Sequence, residues 1–242
     1  MLHGSKRILL FDDAGYLARM KTLFGSSLIG YWPGGEPNGA VALDYSGLGF
    51  HGAYTGVTLG QQGAGDGLTC PLYDGANDFM QPPAGFRTAF TPAEFSILIW
   101  SRVSSSAIWT DGLFHHQVRF AVDGNNLVRI DKANANNNLQ FVYIAGATTK
   151  IVTAGSQSTT EFQHLGITVS VSGDAVKAYI GGVQSGATQT GLGTWVGALS
   201  ATNTVFGAQT TVPNLPWDGY LAHCLVLNRA ATPAEVAAAS VI

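Results

Sequence analysis

The sequence predicts an all-β fold, a two-sheet antiparallel sandwich. Three observations carry this. Short apolar strands alternate with turn signals through the interior. Helical periodicity is confined to the two ends of the chain. Of 242 residues 31 are glycine, and only 11% are charged. Soluble domains carry about 25% charged residues and about 7% glycine, so the surplus glycine must sit in turns, bulges and close sheet contacts. A hydrophobic content of 46% suffices for one well-buried core, and sandwiches of this length are commonly a single domain.

Residues 1–27 read as an N-terminal arm and 28–242 as the sandwich. Lys6 to Phe11 is a short strand candidate. Asp12 or Asp13 can cap a helix running to Leu23 or Phe24, because a carboxylate accepts the free first-turn N–H groups. Tyr16, Met20 and Leu23 share a broad face with Leu17 and Phe24, and Gly25 supplies the stop. Two readings stay open. The helix packs on its own domain, or it docks on a neighbour and makes Tyr16, Met20 and Phe24 interface candidates.

Leu28 to Trp32 opens the sandwich. A loop through Gly34, Gly35, Pro37 and Gly39 follows, then Val41 to Tyr45 and the turn Asp44-Tyr-Ser-Gly47. Gly60 to Thr69 is a second glycine-rich loop. Cys70 to Tyr73 is short and turns at Asp74-Gly75, Asp78 to Met80 resumes, and Pro82-Pro83 marks a loop or edge. Glu94 to Val103 is apolar on both faces, as a covered central strand must be. Further strands are expected at Ala107–Thr110, His115–Val122, Leu127–Asp131, Leu139–Ala145, Thr149–Ala154, Gln163–Val171 and Ala175–Ile180. Gly181-Gly182 closes the last of these, and Gln184 to Thr194 reads as loop. Thr204–Ala208 and Tyr220–Leu227 complete the set. Thr232, Pro233 and Glu235 occupy the cap, first and third positions of a short C-terminal helix.

These landmarks, in this order, resemble the laminin-G-like, concanavalin A-like jelly-roll superfamily over about residues 28–238. The resemblance runs through Tyr31-Trp32, Glu36, Asp44, Ser46, Gly47, His51, Gly52 and Tyr54. It continues in Tyr73-Asp74-Gly75, Asp78, Phe95-Ser-Ile-Leu-Ile-Trp100 and Phe162-Gln-His164. Val176 to Val183, Phe206-Gly207 and Trp217-Asp-Gly219 then precede the terminal Thr232-Pro-Ala-Glu235. It implies two antiparallel sheets whose loops bind carbohydrate, protein or calcium, and it fixes no one function. Where many relatives carry an acidic residue soon after the last glycine, this chain has Ala222. The appended helix before a Gly-Tyr-Trp strand also resembles structural proteins of tailed-phage particles.

Composition excludes several classes. A net charge of −3 with no basic cluster argues against nucleic acid. No apolar run of membrane-spanning length exists, and Asp12-Asp13 interrupts the only signal-peptide-like start. No paired carboxylates at strand spacing, serine elbow, P-loop or dinucleotide fingerprint suggests catalysis. Cys70 and Cys224 read as two buried free thiols.

Expected function is therefore that of a non-enzymatic structural or adhesion protein of a virus particle, tail-associated or on the capsid surface. Its partners would be copies of itself or other virion proteins. The alternative is a lectin-like module for a cell-surface glycan. Trp109, Asp111, His115 and Trp217 are the glycan candidates: an indole face stacks on a sugar ring while Asp accepts hydroxyl bonds, against a reading with Trp109 in the core and His115 on the surface. Asp44, Asp74 and Asp78 are candidates for a structural calcium, against turn-forming roles for Asp44 and Asp74. No other cofactor is expected. Ala178 to Pro216 carries no charge, so the stretch around Gly193 to Leu199 is expected to border a contact through Trp195 and Leu199.

Overall fold

The computed structural model describes residues 15–242. The strand at Lys6–Phe11 and the caps at Asp12 or Asp13 lie outside the described residues. The strands are β1 (Leu28–Trp32), β2 (Val41–Ala42), β3 (Gly52–Thr55), β4 (Thr58–Gln62), β5 (Thr69–Asp74), β6 (Phe79–Gln81), β7 (Glu94–Val103), β8 (His115–Ala121), β9 (Leu127–Lys132), β10 (Leu139–Ala145), β11 (Thr148–Ala154), β12 (Gln163–Ser170), β13 (Ala175–Ile180), β14 (Val183–Gln189), β15 (Thr204–Phe206) and β16 (Asp218–Leu227). The helices are α1 (Tyr16–Phe24), α2 (Ala84–Ala89) and α3 (Pro233–Ala239).

Two antiparallel eight-stranded sheets form the predicted jelly roll. The first runs β14-β13-β12-β7-β16-β5-β4, with β1 also on β16; the second runs β11-β10-β9-β8-β15-β6-β3-β2. Period-2 alternation explains the layering. Phe95, Ile97 and Ile99 of β7 meet Val118, Phe120, Val128 and Ile130 of the second sheet between the layers. The other face of β7 carries Leu98 and Trp100 into a second core.

That second core is roofed by α1 and α3. Tyr16, Met20 and Phe24 pack over Leu98, Trp100, Leu225 and Leu227, beside Val236 and Ala239. Tyr16 Oη donates to the Ala239 carbonyl at 2.7 Å and accepts from Trp100 Nε1 at 3.0 Å. The helix thus packs on its own domain. Tyr16, Met20 and Phe24 are buried there, so the docking-arm role for these three gives way: a sheet with two apolar faces needs covering on both.

A histidine joint holds the roof's edge. His223 sits at φ 46° in the β16 bulge between Ala222 and Leu225. Its Nδ1 meets Tyr31 Oη at 2.9 Å and its Nε2 meets Asp66 Oδ2 at 3.1 Å. Burial works against the Asp66 carboxylate, but the hydrogen bonds from His223 and the Leu68 amide outweigh it and hold its pKa below the ordinary range.

Three local expectations change. Ala107–Thr110 is not a strand but part of a 3₁₀ turn, Ser106–Thr110. Pro82-Pro83 leads into α2 rather than a plain loop, with Pro83 as the extended residue before the helix. Gln184–Gln189 of the expected loop belongs to β14, while residues 190–194 remain loop: Gly181 and Gly182, at φ 57° and 78°, make the left-handed two-residue turn that returns a hairpin.

α3 begins as its sequence predicts, with a complete capping box between Thr232 and Glu235. Arg229 grips the same Glu235 carboxylate through both terminal nitrogens, at 2.8 and 2.6 Å. That pairing and the Thr232 bonds lower the Glu235 pKa to about 2 from 4.5. A depressed carboxylate contributes stability that is present above pH 4.5 and disappears as pH falls towards about 2. Glu235→Gln is therefore expected to melt below wild type at neutral pH, with the gap closing through this window; melting curves at successive pH values check it.

Candidate functional site

A groove of about 460 Å³ lies between α2 with the segment after it and the 193–199 loop. Arg87, Thr88, Phe90, Trp195 and Leu199 line it. Its volume falls in the usual range for small-ligand sites, about 300–1,000 Å³.

The loop wall is held by acceptors outside the uncharged stretch. Asp174 accepts from the Gly191 and Leu192 amides, both at 2.9 Å. Buried Asn126 accepts from the Val196 amide at 2.9 Å and the Gly146 amide at 3.0 Å. Gly193 must be glycine, since a Cβ there would lie 1.9 Å from the Ala145 carbonyl. Trp195 stacks on Tyr143, centroids 5.9 Å apart and planes at 25°, and leans on Phe90 at 6.4 Å. Its Nε1 donates back to Gly197 at 3.2 Å. The indole is thus fixed but only half-buried, with the ring surface not taken by Tyr143 left to the groove.

The opposite wall rests on aromatic packing. Phe86 of α2 is fully buried, with Trp32 at 5.2 Å and Phe120 at 5.4 Å. Phe90 packs on Phe95 at 4.9 Å. Trp195 and Leu199, expected at a contact, therefore come together in one groove, and Leu199 is largely buried in its floor. Phe90, Arg87 and Thr88 were not singled out in the sequence, because nothing local marks α2 as the facing wall.

The expected glycan platform is differently placed. Trp109 is buried, donating Nε1 to the Thr159 carbonyl at 2.8 Å, and Trp217 is buried in the main core. Neither indole offers a face to a sugar. Asp111 and His115 do meet, Oδ2 to Nε2 at 2.6 Å, while His115 Nδ1 contacts the Pro216 carbonyl at 2.7 Å. Lys132, which the sequence did not flag, completes the cluster with Nζ 2.6 Å from Asp111 Oδ1. Burial opposes the Asp111 charge, yet Lys132, the Leu113 amide and His115 hold its pKa below the ordinary range. The cluster is an internal brace that pins the 111–113 turn to β9.

The calcium candidates do not converge. Asp44 accepts from the amides of Tyr31, Ser46 and Phe50 and from Ser46 Oγ, at 2.7–2.9 Å. Asp78 accepts from the Asp74 amide at 2.9 Å, and Asp74 from the Ala76 amide at 2.9 Å. These are turn-forming bonds, which consume the oxygens a hard cation would need. Among the described residues no group of three or more His, Cys, Asp or Glu is placed to hold a metal ion. Cys70 and Cys224 are both free and buried.

A second polar cluster lies on the second sheet. Asp131 and His116 are fully buried, with Oδ2 3.1 Å from Arg129 Nε and 3.6 Å from His116 Nδ1. Burial pushes Asp131 up to about 7 against the pull of Arg129. Burial, with help from Arg129 and Arg119, pushes His116 down to about 3. The Phe114 ring lies parallel to His116, centroids 6.5 Å apart, and carries Arg129 over its face.

Residues 74–237 match the family model described as the concanavalin A-like lectin/glucanases superfamily. No curated protein matches the chain. Among solved structures it is similar to the receptor-binding domain of botulinum neurotoxin C/D mosaic serotype, at TM-score 0.66 and 13% identity, covering 88% of this chain and 51% of that one. It is also similar to domain 4 of AbnA, a GH43 extracellular arabinanase from Geobacillus stearothermophilus, solved with arabinotriose. That match has TM-score 0.65 and 18% identity and covers 89% of this chain and 98% of that one. Trypanosoma rangeli sialidase in complex with sialic acid matches at TM-score 0.60 and 11% identity, over 87% of this chain and 32% of that one. The chain spans about half the length of the neurotoxin domains it matches. At these identities the likeness shows the fold alone.

Proposed function

This chain belongs to the concanavalin A-like lectin/glucanases superfamily, and from that premise we propose that it is a non-catalytic carbohydrate-binding module. The observation that carries the reading is the Trp195 groove. An indole held rigidly by Tyr143 and Phe90 meets a concavity lined by a hydroxyl and a guanidinium. Sugars are bound in this way, by apolar ring stacking with a few convergent polar groups. The arabinanase domain supports the reading, because it matches over nearly its whole length and was solved with an oligosaccharide.

Adhesion is the part of the sequence expectation that this groove supports. The virus-particle setting rests on the sequence resemblance alone. No step of hydrolysis is assigned: the groove is lined by no carboxylate, whereas glycoside cleavage ordinarily needs two.

A glycan array tests the reading. Wild type should bind a defined subset of oligosaccharides, and Trp195→Ala should weaken that binding by about tenfold or more, the loss expected for ~1.4 kcal/mol of stacking. Because Trp195 also packs on Tyr143 and Phe90, some loss of melting temperature is expected, and binding is compared at a temperature where the variant is folded. A flat array for the well-folded wild type would overturn the proposal.

A further inference from the structure

We propose that the groove selects acidic glycans, pairing a sugar carboxylate or sulfate with Arg87; this rests on the carbohydrate-binding reading above. Arg87 lines the groove from α2 and is half-buried. One of its nitrogens, Nη1, donates to the Pro82 carbonyl at 2.9 Å. Guanidinium has five N–H donors in a planar fork, so most of its donor capacity is left for another partner.

Its charge is also unmatched. Arg129 meets Asp131 and Arg229 meets Glu235, and Arg102 lies over the Phe162 and Tyr220 rings. Among the described residues, no carboxylate lies within ion-pair distance of Arg87. Arg87 is only half-buried, so water solvates it in the free protein and its unpaired charge stays open to an anionic ligand.

The remaining walls suit an anion. Ala84, Thr88, Phe90, Trp195 and Leu199 carry no negative charge, and the whole stretch Ala178–Pro216 contains none. A ring stacked on Trp195 would have to satisfy Arg87 across the same groove. A carboxylate or sulfate substituent does so by the paired N–H···O geometry that guanidinium favours. A neutral hydroxyl leaves the charge uncompensated.

The test uses the full chain on an array of matched neutral, carboxylated and sulfated oligosaccharides. Wild type should prefer an acidic member over its neutral counterpart by about tenfold or more, as a charge-assisted hydrogen bond provides, and added salt should erode the preference. Arg87→Gln should abolish the preference and Arg87→Lys should retain part of it. Thr88→Glu, on an exposed helix position beside Arg87, should weaken acidic binding far more than neutral binding, which covers the case in which Arg87→Gln fails to fold. The carboxylated and sulfated arms tell which anion is used. Neutral binding that Trp195→Ala abolishes and Arg87→Gln leaves intact would overturn the acidic-sugar inference but keep the binding reading. Acidic binding unaffected by Arg87→Gln and Thr88→Glu would also overturn it. No binding anywhere on the array would overturn both.

Discussion

Phe120→Ala is expected to lower the unfolding free energy by about 3–5 kcal/mol. Phe120 is fully buried in β8. Its ring meets Phe206 at 5.2 Å, Phe86 at 5.4 Å and Phe90 at 5.8 Å, all at steep interplanar angles. Edge-to-face contacts of this kind add to the burial energy. Truncation removes them together and leaves a void that a sheet cannot collapse into. Since a domain's total stability is about 5–15 kcal/mol, the variant should sit near the edge of folding. Urea unfolding measures the loss, and a value below about 1 kcal/mol would refute the aromatic cluster. Phe86 and Phe90 also support the groove wall, so under the proposed carbohydrate-binding reading glycan binding should fall with stability.

Met20→Ala should destabilise by about 2–5 kcal/mol. Met20 is fully buried beneath α1, in the core shared with Trp100, Leu225 and Val236. The loss should not depend on protein concentration, because the contact lies within one chain. A helix that served only to dock a partner would give the opposite result: unchanged monomer stability and weakened assembly. Unfolding curves at two concentrations separate these outcomes.

Both predictions concern elements whose existence was legible in the sequence and whose partners were not. Tyr16, Met20 and Phe24 fall at helical spacing, which marks α1. Periodicity says that a face is apolar; it does not say which surface covers it. The outer face of the first sheet, apolar through Leu98, Trp100 and Leu225, settled that. The candidate site divides in the same way. Trp195 and Leu199 stood out because an uncharged stretch carrying large apolar groups needs a reason. Trp109, with a core reading beside it, and Trp217 were also glycan candidates, since a tryptophan beside a turn reads alike whether its ring points outward or into the core. Proximity in sequence groups Asp111 and His115 as glycan candidates; in the fold they bond to each other, and Lys132, in the neighbouring strand β9, turns them into a brace.

By itself the sequence determined whatever depends on backbone conformation and short-range periodicity. It set the two-sided apolar run of β7, the strand at β12, the Asp-Gly and Gly-Gly turns, the Asp44 turn and the Thr232–Glu235 capping box. Those features involve residues a few positions apart, and their energetics are decided by φ, by local hydrogen bonds and by which face is apolar. Only the tertiary structure decided that α2 faces the Trp195 loop, that among the described residues Arg87 stands there without a carboxylate, and that α1 roofs its own sheet. Each of these joins segments remote in the chain. Such meetings are fixed by how two twisted sheets stack and which connections cross their ends, and that geometry leaves no periodic trace in any one segment.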